Sequence, residues 1–246
     1  VLGQMTERLA PDHDEIMGAF EALEDFDSLY ARARTAKAWG GTPPRVISGD
    51  PSGLELHEAR HPLLVEAGEG PVIPYDLVIE GDERCLVISG PNTGGKSVFL
   101  KATGLISALA QSGIVPPVGK GTKLPVFGSF FADIGDEQSI SHSLSTFSAH
   151  LANLSSIVGE ANARSLVLID EMGTGTDPSE GAALARAVLE ELVSRGATTL
   201  ASSHLGELKQ LDAPGSGIVN ASLQFDTERM EPTYRLIKGR PGRSFG

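Results

Sequence analysis

Gly90-Pro91-Asn92-Thr93-Gly94-Gly95-Lys96-Ser97 fits the pattern G-x-x-x-x-G-K-[ST], a glycine loop that cradles phosphates. The run before it, Cys85-Leu86-Val87-Ile88-Ser89, is apolar and β-branched and predicts a buried parallel strand. After it, Val98, Leu105, Ile106 and Leu109 recur at helical spacing, which predicts a helix. Strand, glycine loop and helix in that order suit a polyphosphate. Glycines let backbone N–H groups approach without a Cβ in the way, and the helix start adds partial positive charge. Lys96 can reach the β- and γ-phosphates, and the Ser97 hydroxyl can ligate Mg²⁺.

Downstream, Leu166-Val167-Leu168-Ile169-Asp170-Glu171 is a strand pattern ending in two acids. Asp170 is expected at the carboxyl edge of the sheet, where open α/β sheets bind ligands, and there to hold Mg²⁺ on the Ser97 side. Glu171 is expected to face the attacking water as general base. Gly173-Thr174-Gly175-Thr176-Asp177-Pro178 reads as a loop and 179–193 as a helix. Ala197-Thr198-Thr199-Leu200-Ala201-Ser202 reads as a further strand running into Ser203-His204. That places His204 at the γ-phosphate end, where an imidazole can hydrogen-bond phosphate. Between loop and acids, Phe147, Leu151, Leu154 and Val158 form a helical stripe, with Ser145 as its expected N-cap.

The N-terminal region differs in character. Residues 1–9 read as the end of a helix, and Pro11-Asp12 as a fresh helix start. The Ala-, Glu-, Leu- and Arg-rich stretch to Trp39 puts Ile16, Phe20 and Leu23 near one face, an amphipathic arm for packing on something outside these residues. Gly40-Gly41-Thr42-Pro43-Pro44 breaks it. The expected organisation is an arm over 1–39, a linker over 40–53 and one domain over 54–246. Strands are expected at 46–48, 54–56, 77–79 and 126–134, turns at 50–53 and 80–82, and a surface loop over 113–125. Short strands are expected within 218–238, Asn220-Ala221-Ser222 and Tyr234-Arg235-Leu236-Ile237 being the clearest. His61 reads as structural. Val72 and Ile73, between Pro71 and Pro74, can wall an adenine pocket or pack in the core.

Composition excludes several classes. Of 246 residues 40% are apolar and the net charge is −12. That balance argues against strong nucleic-acid binding by these residues alone. The single cysteine, Cys85, allows no internal disulfide, which suits the cytoplasm. There is no apolar run of membrane-spanning length and no secretory signal, so no membrane partner is expected. The start at Val1 and the end at Gly246 read as a piece of a longer protein.

These residues resemble the ATPase domain of the MutS family. The likeness rests on the loop 90–97, on Ser145-Thr146-Phe147, on Asp170-Glu171 with the Gly173-Thr174-Gly175-Thr176 that follows, and on His204. It covers 54–246, with the preceding helix similar to the end of the family's lever domain. The segment from Asp170 through Met172 to Asp177-Pro178-Ser179-Glu180-Gly181-Ala182-Ala183, together with Ser145-Thr146-Phe147-Ser148-Ala149-His150 and Pro241-Gly242-Arg243-Ser244, is more like the second MutS subfamily than the mismatch-repair branch. That branch usually carries an Arg and an acid where Thr174 and His150 stand here.

The resemblance implies an α/β P-loop NTPase of ABC-ATPase type, with a mainly parallel sheet and flanking helices. It implies an ATPase using ATP and Mg²⁺. The partner would be a second copy, a homodimer with ATP sandwiched at composite sites. Ser145 and Thr146 would belong to the signature touching the partner's γ-phosphate, and His204 would be the switch histidine. The subfamily is associated with suppressing homologous recombination on branched DNA, and in some bacteria with stalled ribosomes. Its DNA clamp and Smr nuclease domain would lie outside these residues. Where the mismatch-repair branch stacks an aromatic on adenine, Val72 or Ile73 stands. Alternatives are a transporter or chromosome-structure ABC ATPase, against which Leu144-Ser145-Thr146-Phe147 in place of Leu-Ser-Gly-Gly discriminates, and a nucleotide-switched dimerisation module acting on ribosomes, against which Glu171 argues.

Overall fold

The computed structural model describes residues 2–48, 53–79, 81–91, 94–135, 143–226 and 231–239. The readings placed on 50–52, 80, 92–93, 136–138 and 241–244 lie outside them. The chain is mixed α/β. Its helices are α1 (Leu2–Leu9), α2 (His13–Trp39), α3 (Pro62–Ala67), α4 (Lys96–Gln111), α5 (Ser143–Glu160) and α6 (Pro178–Ser194). Its strands are β1 (Arg45–Ile47), β2 (Leu54–Ala59), β3 (Tyr75–Ile79), β4 (Cys85–Ser89), β5 (Lys123–Pro125), β6 (Ser129–Asp133), β7 (Ser165–Ile169), β8 (Thr198–Ser202), β9 (Ile218–Asp226) and β10 (Glu231–Lys238).

Six strands form one sheet in the order β10-β9-β4-β8-β7-β6. All pairings in it are parallel except β10 with β9. A second sheet runs β1-β5-β2-β3. The strands β4, β7 and β8 are buried at every residue, as the near-continuous apolar runs of a covered parallel sheet require. Alternation then divides the core. Leu86 and Ile88 join Leu54, Leu56, Leu77, Phe99, Leu100 and Ile106 on the side of α4 and the second sheet. Cys85 and Val87 join Leu154, Ile157, Ala185, Leu189 and Leu192 on the side of α5 and α6. Burial pushes the Cys85 thiol up to about 12, so it is an inert part of that core.

The arm breaks where Pro11 is, in a single 3₁₀ turn at Ala10–Asp12, and α2 then runs unbroken. It ends at Gly40, whose left-handed backbone (φ 63°) returns its N–H to Ala36 and Lys37, the glycine C-cap geometry. None of its residues is buried: Ile16, Phe20, Leu23, Phe26 and Leu29 all stand exposed. Among the described residues no helix is long and apolar enough to cross a membrane.

Several expectations are corrected. The stretch 113–125 is not a surface loop. Residues 116–119 are buried, with the Val118 carbonyl accepting from Thr42 N–H (2.9 Å) and Gly119 N–H donating to the His57 carbonyl (2.6 Å). The stretch closes as β5, between β1 and β2. The strand expected from 126 begins at Ser129, because Phe127 is tied by both its N–H and its carbonyl to the Gln111 side chain (3.2 Å each). The strand expected at 46–48 lies one residue earlier, at Arg45–Ile47, paired with β5. The short strands expected in 218–238 are two long ones, β9 and β10, paired as an antiparallel ribbon. The helix expected to be capped by Ser145 already begins at Ser143, which puts Ser145 inside the first turn rather than ahead of it. Its buried stripe runs through Leu154 and Ile157, with Leu151 and Val158 only half-buried.

Candidate functional site

Strand register brings the expected chemistry to one edge. Ile88 pairs with Ser202 and Ile169 with Ala201. The chain therefore leaves β4 into Gly90, β7 into Asp170 and β8 into Ser203 and His204 at the same carboxyl end. Past Gly90 the turn is closed by Gly94 N–H on the Pro91 carbonyl (2.9 Å). Gly95, left-handed at φ 82°, is the N-cap of α4. Lys96 and Ser97 are the first two residues of that helix, where backbone N–H groups have no partner within the helix. Asn92 and Thr93 lie outside the described residues.

Lys96 is buried, and its ammonium donates to the carbonyls of Gly90 (2.8 Å) and Pro91 (3.0 Å). Burial pushes its pKa below the usual lysine range, while the charges of Asp170 and Glu171 pull it back up. The structure thus brings Lys96, Asp170 and Glu171 within electrostatic reach of one another. Asp170 is buried and takes a hydrogen bond from the Ser202 hydroxyl. Glu171 has a left-handed backbone, φ 51°, uncommon for a residue with a Cβ. Its N–H is shared between Ser202 Oγ (2.9 Å) and Asp170 Oδ1 (3.2 Å). Ser97 is half-buried. A serine hydroxyl and a carboxylate are hard oxygen donors, the set that suits Mg²⁺.

His204 is exposed, while its neighbour Ser203 is fixed by its N–H on the Ile88 carbonyl (3.1 Å) and its hydroxyl on the Met172 carbonyl (2.9 Å). The loop after Glu171 runs to Asp177, whose carboxylate accepts from Ser179 N–H and starts α6, with Pro178 in its first turn. Ser145 and Thr146 are in the first turn of α5, but their side chains lie outside the described part.

Beside the glycine loop is a cavity of about 270 Å³. Val72 and Ile73 line it, as do His61, Gly95 and Phe99, so the segment 71–73 does face a pocket next to the loop. The wall that sequence reasoning missed is Tyr234 on β10. Its backbone is left-handed (φ 55°) at a bulge in the β9–β10 ribbon, and its ring lies 2.6 Å from where a Cβ on Gly95 would stand. Only glycine admits that contact. His61, read as structural, stands at the N-cap of α3. It is buried with no hydrogen-bond partner on Nδ1 among the described residues, and burial, with Lys101 nearby, holds its pKa down.

Comparison with known proteins identifies the family. Residues 86–246 match the model of MutS domain V. The chain is 56% identical over its whole length to "Endonuclease MutS2" of Gemmatimonas aurantiaca. Over 99% of its length it is 46% identical to the proteins of that name from Geobacillus thermodenitrificans and Pelotomaculum thermopropionicum. In each case it spans 30% of the relative's length. The chain belongs to the MutS family and, by these relatives, to its second subfamily rather than to the mismatch-repair branch.

Proposed function

We propose that the chain is the ATP-binding and ATP-hydrolysing domain, of ABC-ATPase type, of a MutS2-like protein. The observation that carries the reading is the register that sends β4 into a loop of phosphate-binding pattern and β7 into Asp170-Glu171 at one end of the sheet, with the buried Lys96 opening α4 beside them. Gly90, Gly94 and Gly95, with Pro91, Asn92 and Thr93, wrap the phosphates. Lys96 leaves the Gly90 and Pro91 carbonyls for the β- and γ-phosphates. Ser97 and Asp170 hold Mg²⁺, which supplies charge neutralisation on the phosphates when bound. Glu171 acts as general base toward water, and His204 hydrogen-bonds the γ-phosphate. The cavity takes adenine, with Val72 and Ile73 on one wall and the Tyr234 ring on the other.

The active form is a homodimer with composite sites, in which Ser145 and Thr146 face the partner's γ-phosphate. Residues 1–39 serve as the end of a lever arm, 40–53 as its linker and 54–246 as the ATPase unit. The relatives are named endonucleases, and the whole protein is proposed to act on DNA through segments outside this chain. Suppression of recombination on branched DNA is the activity proposed for it, and the cytoplasm its location.

Two variants test the domain's chemistry. Lys96→Ala should lose about 1.5–3 kcal/mol of a charge-assisted phosphate contact, roughly tenfold to a hundredfold in ATP affinity by calorimetry. Glu171→Gln should keep ATP affinity and lose turnover by about 10²–10⁴-fold. Unchanged affinity in the first variant, or wild-type turnover in the second, removes the corresponding assignment.

A further inference from the structure

Ser202 is the last residue of β8, fully buried, and no part of the phosphate loop. Three contacts converge on it from the turn after β7. Its hydroxyl donates to Asp170 Oδ1. The same oxygen accepts the Glu171 N–H at 2.9 Å. Its carbonyl accepts the Met172 N–H at 2.8 Å. A hydroxyl offers one hydrogen and two lone pairs, and here the hydrogen and one lone pair are used on neighbouring residues of one turn.

We infer that Ser202 is a positioning residue that sets two functional groups at once. It orients the Asp170 carboxylate, and it holds the Glu171 backbone in the left-handed conformation that aims its side chain. That conformation is strained in a residue with a Cβ. It persists because the freed N–H finds two acceptors, Ser202 Oγ and Asp170 Oδ1. Without the hydroxyl, Glu171 N–H keeps only the longer contact, 3.2 Å, and the buried Asp170 carboxylate loses a donor. Buried carboxylates are held in place by such donors, and loss of an outer partner of a metal ligand typically weakens metal binding 10–100-fold. The inference rests on the ATPase reading for Asp170 and Glu171. Its geometric part, the pinning of the turn 170–172, does not.

The test compares wild type, Ser202→Ala and Ser202→Thr in the full chain. Three quantities are measured: Mn²⁺ affinity by electron paramagnetic resonance with a non-hydrolysable ATP analogue, amide hydrogen exchange of the peptide spanning 170–172 without nucleotide, and turnover. Ser202→Ala should weaken Mn²⁺ binding by about tenfold to a hundredfold, speed exchange of that peptide and slow turnover. Affinity for the analogue in chelator should stay at the wild-type value, and Ser202→Thr, which restores the hydroxyl, should restore all three. Wild-type Mn²⁺ affinity and exchange in a folded Ser202→Ala chain would overturn the inference. So would a Thr variant as impaired as the Ala variant, since the role would then be packing. If Ser202→Ala does not fold, Ser202→Cys, similar in shape but a weak donor, replaces it with the same expectations. A wild-type chain that binds no analogue counts against the ATPase reading, and the exchange comparison still decides whether Ser202 pins the turn.

Discussion

Asp133, at the end of β6, ties two parts of the candidate site together through opposite ends of one residue. Its carbonyl accepts the Asp170 N–H at 2.8 Å, and its carboxylate forms an ion pair with His150 of α5, with Asn153 donating to Oδ1 at 2.9 Å. The helix carrying Ser145 and Thr146 is thereby fastened to the strand end carrying the proposed metal ligand.

The consequence is a defined pH dependence. Burial alone pushes the Asp133 carboxyl up, but the contacts from His150 and Asn153, and the charge on His150, bring it below its ordinary 3.8. A folded-state pKa below the unfolded one means stability that is fully present above the unfolded value and lost as pH falls through the folded value. Asp133→Asn should therefore cost about 1–3 kcal/mol in urea unfolding at pH 7. The gap between variant and wild type should close only below about pH 4. A gap that is the same at pH 3 as at pH 7 would show that the carboxylate charge is not what matters.

Tyr234 tests the base pocket. Its ring lies over Gly95 and lines the cavity, so removing it strips one wall while leaving every residue of the glycine loop unchanged. A stacked ring contributes about 0.5–1.5 kcal/mol beyond area burial. Tyr234→Ala should bind ATP roughly twofold to tenfold more weakly and bind inorganic tripolyphosphate like wild type. Equal loss for both ligands in calorimetry would mean that the ring supports the loop, not the base.

The parts of this site that were legible in sequence are those whose signal is local. Val87 and Ile88 announce a buried strand whatever surrounds them, and a glycine-lysine-serine turn followed by helical spacing places Lys96 and Ser97 on a helix start. Asp170 was legible because four apolar residues precede it. Tyr234 was not. Its part depends on β10 folding back along β9 with a bulge, which carries one ring across to a glycine far away in sequence. The burial of 116–119 was hidden for the same reason: Gly and Pro read as surface until His57 of β2 accepts the Gly119 N–H and Arg60 donates to the Pro117 carbonyl. Ser202 gave no signal either, because a serine ending a strand looks the same whether or not a carboxylate waits beside it.

A close backbone contact follows the acids. A Cβ on Gly181 of α6 would lie 2.2 Å from the Gly173 carbonyl oxygen, so helix and loop meet at a separation only glycine allows. Gly173 itself is left-handed at φ 84°. Alanine in a helix interior ordinarily gains about 1 kcal/mol over glycine, yet here the clash is with backbone and should cost about 1–3 kcal/mol or more. Gly181→Ala is therefore expected to lower the urea midpoint and to slow turnover by shifting the loop behind Glu171. A raised midpoint would show that the loop yields freely and that the contact is not a constraint.

The active unit is expected to be a dimer whose sites are completed in trans. Lys96, Ser97, Asp170 and Glu171 come from one edge of one sheet, and a nucleotide held there has the outer side of its γ-phosphate turned to water. The start of α5 supplies free N–H groups and a favourable dipole, the equipment of an anion site. The fastening through Asp133 and His150 holds this helix to its own sheet, and we propose that a second copy brings such a helix start to the open side. Mixing decides the matter. A Lys96→Ala chain and a chain with Ser145→Arg and Thr146→Arg should each be inactive alone. A mixed dimer has one site with both lesions and one with neither, so ATPase activity should return on mixing, up to about half of the wild-type rate per mixed dimer if the sites act independently. Mixed dimers that demonstrably form, by light scattering and tag pull-down, yet hydrolyse no ATP would refute the composite site. Ser145 and Thr146 would then be no more than the first turn of a helix.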